Sequence, residues 1–139
     1  MTSTELFHSF IAYLSLHDVR FGLDEEDLII DDPSGKIFVA DYGGQIEIEA
    51  DISSEDYGVS HDILGPIEPS PQEYSSFASV VVEELTALYP PLQIGLGMFS
   101  DITVEWQGLP KGVAELEDVL RMVLEAMDKG REMMERYPF

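Results

Sequence analysis

Three histidines, two acid-rich runs and one Gly-x-Gly are the residues in this chain whose types and spacing could do chemistry. His61-Asp62 sets an imidazole beside a carboxylate, the pairing of a general base with the acid that orients it. A hydrolytic triad also needs a nucleophile at a recognisable spacing, and none completes this one. His8 sits beside Phe7 in an apolar helical run, and His17-Asp18 follows that run, so both read as structural. The chain has no cysteine, which removes disulfides, thiolate nucleophiles and sulfur-ligated zinc; the histidines form no HExxH pattern. Asp24-Glu25-Glu26-Asp27 and Asp31-Asp32 offer oxygen ligands to calcium, but they lack the alternating acids, the glycine and the closing Glu of a calcium loop. Gly95-Leu96-Gly97 is followed by Met98-Phe99 and leads into a strand, which rejects a dinucleotide loop. The expectation is a protein that is not an enzyme, with no cofactor and no metal site.

Charge is the stronger clue. The 139 residues carry a net charge of -21. Residues 1–110 hold 21 Asp/Glu against only Arg20 and Lys36, whereas residues 111–139 hold seven acids against five basic residues. Nucleic acid and anionic membranes repel such a chain, and its few bases cannot track phosphates, so neither is an expected partner. The acidity permits a basic partner, a highly solvated surface or a salty environment. Hydrophobic residues make up 45% of the chain, so a folded core is expected rather than disorder. Met1-Thr2-Ser3-Thr4-Glu5 has no positive stretch of the secretory kind and no run reaches the length of a spanning helix, which together predict a cytoplasmic protein.

The elements that would position these residues follow from periodicity. Leu6, Phe7, Phe10, Ile11 and Leu14 trace one face of a helix over 3–16, with Thr2 and Glu5 placed as a capping box. Val19-Arg20-Phe21 and Leu28-Ile29-Ile30 are short apolar segments, and Lys36-Ile37-Phe38-Val39-Ala40 is a strand after the turn residues Asp31-Asp32-Pro33-Ser34-Gly35. Gln45–Ile52 alternates apolar at even and polar at odd positions, a strand with one buried and one wet face. Residues 53–71 read as a long connection. Ser70-Pro71-Gln72-Glu73 starts a second helix that Pro90-Pro91 ends. Its Val80-Val81-Val82 run is a poor helix former, so packing must hold it. Two further strands cover 92–99 and 101–106. Leu116, Val119, Leu120, Val123, Leu124, Met127 and Met134 stripe a last helix over about 113–136, interrupted by Gly130 at a cost of about 1 kcal/mol relative to Ala. The expected fold is a single α+β domain, 1–139, in the order α-β-β-β-α-β-β-α, with an antiparallel sheet packed by helices.

That order, with the small size and acidity, resembles the class I type III secretion chaperones and the YbjN-like proteins. The residues that carry the likeness are Leu6–Leu16, Leu28-Ile29-Ile30-Asp31-Asp32, Ile46-Glu47-Ile48-Glu49, and Leu116–Arg136 with its Glu125-to-Glu132 segment. The resemblance implies a homodimer that holds an unfolded segment of a partner protein, such as a secreted effector. It would do so along apolar patches formed by Phe7, Phe10, Ile37, Val39, Ile46 and Ile48. Val81, Leu85, Ile102 and Val104 would form the dimer contact. A different reading makes the acidic face itself the active surface, in an immunity or inhibitor protein that neutralises a basic toxin.

Overall fold

The computed structural model describes residues 2–17, 19–24, 27–32, 35–52, 60–62, 65–67, 71–97 and 101–136, with backbone alone at 24, 32, 60–62, 65–67 and 71–75. Its elements in chain order are α1 (Ser3–Leu16), β1 (Phe21–Asp24), β2 (Asp27–Asp32), β3 (Gly35–Asp41), β4 (Ile46–Ile52), β5 (Ser60–Asp62), β6 (Gly65–Ile67), α2 (Pro71–Leu88), β7 (Gln93–Leu96), β8 (Ile102–Gly108) and α3 (Val113–Glu135). The α+β class and the helix order are those expected. The strand count is higher: four strands, not three, precede the long connection, and the connection itself carries the antiparallel hairpin β5–β6. Val19-Arg20 lies before β1 rather than in it, and the strand runs instead through Gly22 to Asp24.

Six strands pair antiparallel in the order β1-β2-β3-β4-β8-β7. Consecutive strands β1 to β4 form a meander, as short turns allow. The turn from β3 to β4 is closed by Tyr42 N–H donating to Gln45 O at 2.9 Å, with Gly43 at φ 52° and Gly44 at φ 122°, a backbone that side chains with a Cβ rarely adopt. The later hairpin β7–β8 then adds to the free edge of β4 through seven paired positions, Ile46↔Gly108 to Ile52↔Ile102.

Alternation decides the layers. In β4, Ile46, Ile48, Ala50 and Ile52 are all fully buried, and the register joins them to Ile37 and Val39 on β3 and to Ile102 and Val104 on β8. The buried stripes of all three helices meet this one face in a single core. Leu6, Phe7, Phe10 and Leu14 of α1 pack there, as do Ala78, Val81 and Leu85 of α2. Packing thus holds the valine-rich turn at Val81 and Val82, while Val80 stays exposed.

The helix ends follow their sequence signals where they are described. Thr2 Oγ1 accepts from Glu5 N–H at 3.1 Å, and α2 stops one residue before Tyr89-Pro90-Pro91. Ser70 lies outside the described residues. At the start of α3, Lys111 N–H donates to the Glu115 carboxylate at 3.0 Å. The glycine inside α3 is buried where the helix presses on the sheet. A Cβ at Gly130 would stand 2.6 Å from Ile52 Cδ1 and 3.0 Å from Leu85 Cδ1. Gly130 is therefore the contact point at which α3 comes close to β4 and α2.

A polar anchor ties the first helix to the sheet. Thr4 Oγ1 donates to Asp41 Oδ2 at 2.7 Å, and Gly44 N–H donates to Ser3 Oγ at 3.1 Å. The hydroxyls of Ser3 and Thr4 hold the Asp41 carboxyl below the usual carboxylate range.

Candidate functional site: the open face of the sheet

The outward side of the same strands has no described helix on it. Its residues are those that alternate with the core: Asp27, Ile29 and Asp31 on β2; Lys36, Phe38 and Ala40 on β3; Glu47, Glu49 and Asp51 on β4; Thr103, Glu105 and Gln107 on β8. Among the described residues of these four strands, six carboxylates share the face with one base, Lys36, while Arg20 reaches Asp31 from the rim. The concentration is greatest at the centre. Glu49 stands directly across the ladder from Glu105, with Glu47 and Asp51 on the same side of its own strand. Like charges directly opposite in an antiparallel pair oppose folding.

The carboxyls register that crowding. Partial desolvation on the sheet raises Glu49 above the usual carboxylate range, and the neighbouring charges of Asp51, Glu105 and Glu47 raise it further. Asp51 is raised by desolvation first, then by Asp101 and Glu105. At neutral pH the face therefore holds repulsion that an incoming positive charge would relieve. Asp31 differs, lying 3.7 Å from the Arg20 guanidinium at the rim.

A shallow groove of about 100 Å³ crosses the face, lined by Asp27, Phe38, Ala40, Tyr42, Glu47 and Glu49. The register explains its shape. Phe38 lies across from Glu49 and Ala40 across from Glu47, so a methyl group forms the floor where the flanking positions of β3 carry rings. Phe38 is 41% exposed and Tyr42 is 60% exposed, so both rings reach solvent at the groove.

The residues expected to hold a partner lie elsewhere. Phe7 is 7% exposed, Phe10 is 1% exposed, and Ile37, Val39, Ile46 and Ile48 are fully buried. Phe7 and Phe10 pack inward from α1 and the other four inward from β3 and β4, so both sets meet in the core. Val81, Leu85, Ile102 and Val104 are likewise packed inside one chain at 0–2% exposure, so a second copy would have to meet other side chains. Alternation in the sequence tells which residues share a face; it does not tell which face the helices cover. The signal for the open face was present in the odd positions of Gln45–Ile52, but Glu105 joins it only through the β4–β8 pairing.

The other candidate residues lie apart from this face or outside the described side chains. His17 ends α1, its Nδ1 2.9 Å from Tyr13 O and its ring stacked on Tyr13 at 4.1 Å between centroids. His8 is exposed on α1, with its ring 6.4 Å from that of Phe7. The backbone of His61 and Asp62 lies in β5, and their side chains lie outside the described residues. Among the described residues no three His, Asp or Glu side chains converge as metal ligands, and no helix is long and apolar enough to cross a membrane. Most of the acid run 24–27 and Met98-Phe99 also fall outside the described side chains.

Comparison with known proteins is informative for the fold. No family model matches the chain, and no curated protein matches it by sequence. Solved structures that match along nearly the whole length include the following two. An uncharacterised protein from Methanothermobacter thermautotrophicus superposes with a TM-score of 0.63 at 14% identity, covering 98% of this chain and 99% of that one. YbjN from E. coli, whose structure is titled as that of a "putative transcription regulator", superposes with a TM-score of 0.57 at 10% identity, covering 93% of this chain and 88% of that one. The chain therefore has the fold of YbjN.

Proposed function

We propose that this is a non-enzymatic protein-binding domain whose binding surface is the open face of the sheet, and that its partner is a basic segment of another protein. The observation that carries the reading is the uncovered face itself, whose described strand residues include six carboxylates, one of them paired with Arg20, against the one strand base Lys36, and a directly opposed pair, Glu49 and Glu105. Such a field speeds encounter with a cationic surface and confers specificity by rejecting acidic ones. Relief of the Glu49–Glu105 repulsion adds a gain that exists only in the complex. The acidic-inhibitor reading is favoured over the chaperone one because the apolar residues that a chaperone would use are spent in the core.

The test is a titration with a twelve-residue oligolysine peptide. Binding is expected at 50 mM salt and should weaken steeply by 200 mM, as screened surface attraction does. The triple variant E49Q/D51N/E105Q should lose most of it. Absence of binding at low salt, or equal binding by the triple variant, overturns the proposal.

A further inference from the structure

We infer that the groove on the open face is a subsite for an arginine side chain of the basic partner, an inference that rests on the binding reading above and deepens it. Three features converge on a guanidinium. The first is charge: Glu47 and Glu49 border the groove from β4 and Asp27 borders it from β2, with no base among the lining residues. The second is the pair of exposed rings, Phe38 and Tyr42, at either end of the groove along β3 and its turn. A guanidinium is flat and weakly hydrated, stacks on aromatic faces, and offers a fork of N–H donors to carboxylates. A lysine ammonium satisfies the charge and can sit over a ring, but it is a strongly hydrated point charge with no planar face and no fork. The third is the floor. Ala40 sits between two ring-bearing positions and directly across from Glu47, so its methyl leaves the space that a longer side chain would fill.

Folding accounts for part of the site, since Phe38 lies across the ladder from Ile29 on the same outward face. Phe38 and Tyr42 turn away from the core, and Ala40 could carry a larger β-favouring residue on an open strand face without meeting a helix. Two exposed rings beside three carboxylates in one groove give a flat cation both a surface to lie on and acceptors to meet.

The experiment titrates N-acetyl-arginine amide, N-acetyl-lysine amide and uncharged N-acetyl-citrulline amide into the full chain while following the ring signals of Phe38 and Tyr42 and the Ala40 methyl by NMR. The oligolysine peptide is measured in parallel on the wild type. Arginine should bind about three- to fivefold tighter than lysine, as cation–π stacking at exposed sites allows, and citrulline should not bind. Ala40→Val fills the floor while keeping every carboxylate, and should abolish the arginine preference; Phe38→Thr, also a strand former, should do the same, with a thermal melt showing that each variant is folded. If oligolysine binds but arginine and lysine bind alike, or both variants keep the preference, the arginine subsite is overturned and the acidic-face reading stands. If oligolysine does not bind, the reading falls and the subsite falls with it.

Discussion

Replacing Gly130 by Ala should destabilise the protein, against the helix propensity of the two residues. In an exposed helix the change stabilises by about 0.8–1 kcal/mol. Here the new methyl would lie 2.6 Å from Ile52 Cδ1 and 3.0 Å from Leu85 Cδ1, about 1 Å inside an ordinary carbon–carbon contact. Both neighbours are terminal methyls, which move easily on a surface, but both residues are fully buried, so each shift is passed to the next side chain. Overpacking of this kind costs about 1–3 kcal/mol. The net expectation is a loss of about 1 kcal/mol, or about 3–4 °C in Tm for a chain of this length. Urea denaturation followed by circular dichroism reads it directly. The partner variant Ile52→Val removes the offending Cδ1. Alone it should cost about 0.5–1.5 kcal/mol; combined with Gly130→Ala it should cost much less, with a coupling of about 1 kcal/mol. A Gly130→Ala protein more stable than wild type by the full propensity gain, or strict additivity with Ile52→Val, would refute the close approach of α3 to β4.

Three further expectations concern charge. Glu105→Gln should stabilise by about 0.5 kcal/mol at low salt by removing the charge opposite Glu49, and the gain should shrink at 1 M salt; a loss of stability at low salt would count against the repulsion. Glu49 and Asp51 have raised folded-state pKa values, so their penalty is present at neutral pH and disappears as pH falls through the raised values. The same protonation removes the charge a basic partner needs, so oligolysine affinity should fall over that interval while E49Q/D51N shows a flatter profile. Asp41 has the opposite sign: its lowered pKa gives stability that is present above the unfolded value and lost as pH falls through the folded one. Asp41→Asn should therefore cost about 1 kcal/mol at pH 7 and little at pH 2, and an equal cost at both would exclude the charged anchor.

Local order was legible in the sequence where a period repeated long enough. The stripe of α3 and the strict alternation of β4 needed no tertiary information, because 3.6- and 2-residue repeats report which side chains face one way. The short segments were harder. β1 holds two apolar residues around Gly22, and the boundary moved by two residues; the three-residue strands of β5 and β6 lie in a stretch read as connection. Gly130 read as a local cost because propensity sees only its own helix, and its reason lies in Ile52 and Leu85, far away in the chain. The site failed to emerge for the same cause. Glu49 and Glu105 meet only once β8 pairs with the edge of β4, and the long-range pairing that makes a surface of them leaves no mark on either segment alone.

The separation of the two faces of β4 also bears on how such a domain diverges. From Ile46 to Ile52, residues that fill the core alternate with residues that face away from it. Selection on ligand preference can therefore rewrite Glu47, Glu49 and Asp51 without disturbing Ile46, Ile48, Ala50 or Ile52, and the core in turn tolerates exchange among apolar residues of similar volume. A lineage built this way keeps its backbone while its letters drift. That is consistent with structural matches at only 10% and 14% identity beside the absence of any family model that matches.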